Sequence, residues 1–180
     1  LCTTHMLDKV AERFGEKCYE VPVGFKWVSA KMTETNAIIG GESSGGLTVK
    51  GHINGKDGVY AAALLVEMIA VTGKKLSQIY KDIEDECGQI FMEERDYRFS
   101  HEKKIEMTKT LLEDKKVPEL PFEIDHISYM DGCKVYFANG GWVVARFSGT
   151  EPLLRIFCEM PTAEQAKTVS EIYEDFLGLR

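Results

Sequence analysis

The chain has 180 residues, 44% hydrophobic and 28% charged, a composition that suits one generous or two small globular domains. Its formal net charge of -7 argues against nucleic acid, whose partners carry a basic footprint, and no apolar run approaches the roughly 20 residues needed to cross a bilayer, so no membrane is expected. Five scattered cysteines without a Cys-x-x-Cys pair and four histidines without ligand spacing indicate neither a disulfide framework nor a zinc site; reduced thiols and a cytoplasmic location are the expectation.

In chain order, Leu1-Cys2-Thr3-Thr4 starts without methionine and reads as the tail of a strand running into a helix, as expected of a fragment of a longer polypeptide. Met6, Leu7, Val10, Ala11 and Phe14 share one helical face, with Thr3 or Thr4 as cap and Gly15 as stop. A short strand is expected over 18–21, ending at Pro22. Val23-Gly24-Phe25-Lys26-Trp27 then turns into a short helix, with Trp27 read as a packing residue. A strand over 37–40 enters Gly41-Glu42-Ser43-Ser44-Gly45-Gly46, either a flexible Gly/Ser turn or a loop whose backbone must approach something closely. A strand over 47–50 and the turn His52-Ile53-Asn54-Gly55-Lys56 follow, and Asp57 caps an apolar helix, read as buried, ending near Gly73. Ser77 opens an amphipathic helix with Ile79, Tyr80, Ile83 and Cys87 on one side. Strands alternating with helices make residues 1–92 an α/β domain.

Residues 93–100 are dense in charge and read as a linker, after which the order of elements changes. A helix over 101–114 and a proline-bearing loop precede four antiparallel strands over 126–130, 134–138, 142–147 and 153–160. Asp131-Gly132 and Asn139-Gly140-Gly141 supply hairpin signals between them. Thr162 caps a last helix over 163–177. Residues 101–180 are thus an α+β domain, a four-stranded antiparallel sheet with two helices.

The polar tip between the last two strands, Arg146-Phe147-Ser148-Gly149-Thr150-Glu151-Pro152-Leu153-Leu154-Arg155, collects anion-binding parts. Two guanidiniums bracket Ser148 and Thr150, whose hydroxyls and adjacent N–H groups can point into one concavity if Gly149 lets the backbone turn without a Cβ clash. The plainer alternative is a hairpin whose arginines pair with nearby carboxylates. An acidic chain that binds phosphate must concentrate positive charge locally, and Arg146, Arg155, Lys26, Lys50 and Lys56 are the candidates.

This decapeptide resembles the phosphate-binding loop in the last domain of the α-D-phosphohexomutases, the phosphoglucomutase/phosphomannomutase family. Three further segments resemble that family in the same order. Gly41-Glu42-Ser43-Ser44-Gly45 resembles its sugar-binding loop, Pro22-Val23-Gly24-Phe25-Lys26-Trp27 its substrate-specificity loop, and Gly51-His52-Ile53-Asn54-Gly55-Lys56-Asp57-Gly58 a segment whose His and Lys lie near substrate. Without the resemblance, His52 reads as a surface turn residue.

The resemblance implies a three-layer third domain, incomplete at its start, and a fourth domain like the TATA-box-binding protein. It implies that Gly41, Glu42, Ser44, Gly45, Gly24, Lys26, His52 and Lys56 bind the sugar and that Arg146, Ser148, Gly149, Thr150 and Arg155 bind phosphate. The activity implied is interconversion of hexose 1-phosphate and hexose 6-phosphate through a hexose 1,6-bisphosphate. The family's phosphoserine loop and its Mg2+-binding aspartate loop match nothing in the chain, so no catalytic or metal residue is expected here and the chain alone should be inactive. Its partners would be the hexose phosphate and the N-terminal domains of the same polypeptide. The rival readings are a phosphoglucosamine mutase fragment, a non-catalytic sugar-phosphate-binding module and an oligomerisation domain.

Overall fold

The computed structural model describes residues 1–149 and 151–180, and these divide into two compact units, Leu1–Gln89 and Ile90–Arg180.

The first unit runs α1 (Met6–Arg13), α2 (Phe25–Thr35), β1 (Ile39–Gly41), β2 (Leu47–Val49), α3 (Gly58–Thr72) and α4 (Leu76–Cys87). Its helices start and stop where local chemistry dictates. The Asp57 carboxylate accepts from the Tyr60 N–H at the start of α3, and Gly73 closes that helix in the left-handed conformation. Asn36 closes α2 in the same way. The α1 and α4 helices are joined by an Arg13–Glu86 ion pair and by the Lys9 ammonium, which donates to the Cys87 carbonyl at 2.9 Å. β1 and β2 pair antiparallel, Ile39 opposite Val49 and Gly41 opposite Leu47. Gly40 sits against α2 so closely that a Cβ there would lie 2.5 Å from both Met32 Sδ and Val28 Cγ1.

Three expectations for this unit change. The apolar helix expected to be buried, α3, has no buried residue, since within this unit no element covers it fully. The strand expected over 18–21 is not formed, because a strand exists only through a ladder and no strand runs beside this segment among the described residues. Val21 O instead accepts from the Leu1 ammonium at 3.0 Å. Trp27 is not packed away either: it remains 45% exposed, with the Lys26 ammonium 4.9 Å over its ring.

The second unit runs β3 (Phe91–Arg98), α5 (His101–Thr108), β4 (Ile124–Ser128), β5 (Cys133–Phe137), β6 (Trp142–Phe147), β7 (Leu153–Met160) and α6 (Ala163–Leu177). A π-helical turn, Lys109–Glu113, extends α5. The sheet is wholly antiparallel in the order β3-β7-β6-β5-β4. The expected linker over 93–100 is therefore mostly a fifth strand, paired with β7 along its full length from Phe91 opposite Met160 to Arg98 opposite Leu153. Its charge does not oppose this assignment. Glu93, Arg95 and Tyr97 alternate inward with period 2, and a charged edge strand discourages pairing with other chains.

What holds the unit is one face of that sheet under α5 and α6. Val135, Val143, Ile156 and Cys158 meet Met107, Leu111, Val169 and Tyr173, all 0–1% exposed. Thr162 caps α6 by accepting from the Gln165 N–H at 3.2 Å. The edge strand is tied down by Glu174 of α6, which pairs with Arg95 at 2.8 Å and accepts from the Tyr97 hydroxyl and from Arg180 Nε.

Candidate functional site

In the first unit, three loops separated in sequence converge on one carboxylate. The turn after β1 closes on itself, with Glu42 N donating to Gly46 O and Gly45 N to Glu42 O, both at 2.9 Å. This projects the Glu42 side chain back toward the start of α2. There Gly24 N donates to Glu42 Oε1 at 2.8 Å, and Lys56 Nζ pairs with Oε2 at 2.8 Å. Burial alone would push this carboxyl up, but the Lys56 ammonium and the Gly24 N–H outweigh it and hold it below the ordinary glutamate value.

On the loop that carries Lys56, His52 Nε2 lies 2.9 Å from Asp57 Oδ2, while the imidazole stacks on Tyr60 with ring centroids 4.0 Å apart. The Tyr60 N–H and the His52 ring lower the Asp57 carboxyl below its usual range. A histidine held between a carboxylate and an aromatic face has a fixed ring plane and presents its other nitrogen in one direction. The loop carrying it is anchored to α2 through the Ser29 hydroxyl, which donates to the Asn54 carbonyl at 3.0 Å. An apolar cleft lined by Phe14, Val28, Met32 and Ile38 borders the glycine turn.

The structure thus brings Gly24, Glu42, Lys56, Gly41 and Gly45 together, with His52 on the same loop as Lys56. Ser44 is exposed on the turn, and Lys26 points onto Trp27. Asp57 is more than the helix cap that its spacing indicated. It also orients His52, five residues upstream, and Tyr60 supplies the aromatic face; neither role was visible in the sequence. The signal available was the single segment that holds all three residues.

In the second unit, Arg146 and Arg155 are direct cross-strand partners on β6 and β7, so two like charges face each other at the mouth of the hairpin. Such a pair is unfavourable unless anions neutralise it. Three carboxylates do so in part. Arg146 Nε donates to Asp131 Oδ2 at 2.8 Å, while Arg155 lies 3.4 Å from Asp96 and 3.8 Å from Glu151. The plainer reading of the hairpin is therefore realised to this extent.

The pairing leaves a donor over. Arg155 Nε is buried without a hydrogen-bond partner among the described residues, its approach to Asp96 being too poorly aligned for a bond. At the tip, Ser148 N donates to Leu153 O at 2.8 Å and Glu151 N to the Ser148 hydroxyl at 3.3 Å. The turn does not need glycine at 149 for its conformation, since the φ of Gly149 is not in the left-handed region and a Cβ there would meet nothing within 4 Å. Thr150 lies outside the described residues.

Among the described residues no group of three or more His, Cys, Asp or Glu could hold a metal ion, and no helix is long and apolar enough to cross a membrane.

Comparison with known proteins gives these loops a context. Residues 1–87 match the family model described as phosphoglucomutase/phosphomannomutase, alpha/beta/alpha domain III, and residues 102–175 match the C-terminal domain of the same family. A phosphoglucomutase/phosphomannomutase of Thermococcus kodakarensis is 33% identical over 96% of this chain and 35% of its own length. A phosphoglucosamine mutase of Acetivibrio thermocellus is 31% identical over 85% of this chain and 30% of its own. Among solved structures, a Thermus thermophilus protein assigned as a phosphomannomutase superposes with a TM-score of 0.75 at 26% identity, covering 99% of this chain and 35% of that one. The chain spans about a third of the length of the relatives it matches.

Proposed function

Since the chain belongs to the phosphoglucomutase/phosphomannomutase family and spans its third and C-terminal domains, we propose that it is the substrate-gripping half of a phosphohexomutase. The longer protein would interconvert hexose 1-phosphate and hexose 6-phosphate. A phosphoserine in the remaining part would give its phosphoryl group to the free hydroxyl of the substrate, the resulting 1,6-bisphosphate would turn round, and the other phosphate would return to the serine. Magnesium would assist that transfer by neutralising phosphate charge. Its ligands would lie in the remaining part of the polypeptide, as the family resemblance implies.

The observation that carries the proposal is the facing pair Arg146 and Arg155, with one guanidinium N–H still unbonded. A phosphate dianion would relieve the like-charge contact and accept the leftover donor, and arginine's planar fork suits its oxygens. Ser148, Gly149 and Thr150 would complete the seat with hydroxyl and backbone donors. Glu42, with Ser44 beside it, would accept from sugar hydroxyls, and Gly41 and Gly45 would let the backbone close on the ring. Gly24, Lys26, His52 and Lys56 would surround it. Because the bisphosphate binds both ways round, the phosphate grip contributes by positioning, with binding energy at the group that is not reacting directed to the one that is.

The same reading places the protein in the cytoplasm, where hexose phosphates are handled and where free thiols persist; all five cysteines are free. A second reading, an amino-sugar substrate, is favoured by relatives named phosphoglucosamine mutase. The test is turnover. The purified 180-residue chain, supplied with glucose 1-phosphate, Mg2+ and glucose 1,6-bisphosphate, should bind hexose phosphate without converting it. Sustained conversion would refute the division of labour, and failure of both phosphate and hexose phosphate to bind would refute the grip.

A further inference from the structure

Gly46 ends the glycine turn, yet its backbone does not require glycine. Its φ lies outside the left-handed region that its neighbour Gly45 occupies at +91°. The constraint is spatial. A Cβ at Gly46 would sit 2.7 Å from Lys56 Cε, 2.8 Å from Cδ and 3.0 Å from Cγ, so the lysine stem lies directly across the bare Cα. From there the ammonium reaches Glu42 Oε2 at 2.8 Å and stands 5.6 Å over the Phe25 ring. The other oxygen of Glu42 is held by the Gly24 N–H at 2.8 Å. The Glu42 side chain is 14% exposed and that of Lys56 50%, so the carboxylate end of the pair is shielded while the lysine stem lies half in solvent.

We infer that Gly46 is a positioning residue for the Glu42 carboxylate: its missing side chain leaves the lane along which Lys56 reaches and orients that group. Any side chain at 46 lifts the lysine stem off the turn. The ammonium then loses its line to Oε2, and the carboxylate keeps only the Gly24 N–H as a fixed donor. Lys56 in this account acts on the sugar through Glu42, which makes position 46 a control on how rigidly the carboxylate is aimed.

This rests on the proposed sugar-reading role of Glu42 for its meaning, but the coupling can be measured with no sugar present. The charged groups facing Glu42 are the Lys56 ammonium and, more weakly, the Leu1 ammonium. In the 180-residue chain, the Glu42 carboxyl carbon is followed by NMR through an acid titration in wild type, Gly46→Ala, Lys56→Met and the double variant. Gly46→Ala and Lys56→Met should raise the midpoint by similar amounts toward that of an ordinary glutamate, with no further rise in the double variant. A folded Gly46→Ala with the wild-type midpoint overturns the inference, and so does an equal rise in the Lys56→Met background. Should Gly46→Ala fail to fold, the wild type still decides: a nuclear Overhauser contact between the Gly46 Hα and Lys56 Hε protons is required, and its absence overturns the inference. Failure of hexose phosphate to bind would remove the proposed function and leave this coupling standing.

Discussion

The two units treat their apolar residues in opposite ways. In the second, Val135, Val143, Leu154 and Ile156 are fully buried between the sheet and its helices. In the first, α3 is the most apolar helix of the chain and none of its residues is buried; Val59 is 84% exposed, Val66 65% and Val71 79%. A continuous five-stranded sheet closes one core, whereas the other unit has only a ribbon of two three-residue strands. The candidate sites follow this division. The guanidinium pair is built into a ladder whose register fixes the spacing of the two charges. The Glu42 cluster is assembled from loops and depends on side-chain bonds to hold its shape.

That contrast can be broken by matched truncations. Ile156→Ala should destabilise the second unit by about 2–5 kcal/mol through the cavity it leaves, read by denaturant unfolding of unit-specific NMR signals. Val66→Ala on α3 should change the first unit by no more than about 0.5 kcal/mol. Equal losses at the two positions would erase the distinction.

The grip on phosphate gives the next largest effect. Arg155→Gln should weaken binding of inorganic phosphate roughly 10- to 100-fold, the worth of one or two charge-assisted bonds, by calorimetry at fixed ionic strength. Its thermal stability should hold, since the substitution also removes a like-charge contact from the ladder.

A smaller effect concerns the edge strand. Burial would raise the Glu174 carboxyl, but Tyr97, Arg95 and Arg180 outweigh burial and hold it below the ordinary value. A carboxyl depressed in the folded state contributes stability above its unfolded value near 4.5, and that contribution is lost as pH falls through the folded value. Glu174→Gln should therefore cost about 1–3 kcal/mol at neutral pH and flatten the loss of stability below pH 4.5, measured by unfolding at a series of pH values. An unchanged pH profile would mean that the network does not anchor β3.

Much of the second unit was legible from local signals. Residues 142–147, 153–160 and 163–177 are as expected, because apolar alternation, hairpin glycines and the Thr162 cap all act over short range. β3 was not, because its inward residues Glu93 and Arg95 are charged; they pair with each other, and Arg95 is also satisfied by Glu174, far along the chain in α6. The segment over 18–21 failed in the opposite sense, since a β-like composition yields no strand without a neighbour. At the sites, residue identity showed Glu42 and the two arginines. The constraints around them are tertiary: nothing local says that Lys56 lies on Gly46, that Asp57 aims His52, or that Arg155 keeps a donor unbonded.

The most direct test of the central claim is a titration of the isotopically labelled chain with glucose 1-phosphate, set beside one with inorganic phosphate. Inorganic phosphate should move the Arg155 Nε–H and Ser148 N–H signals saturably, and the sugar phosphate should also move those of Gly24, Glu42 and Lys56. Saturation by glucose 1-phosphate with the Arg146–Arg155 hairpin unperturbed would contradict that claim.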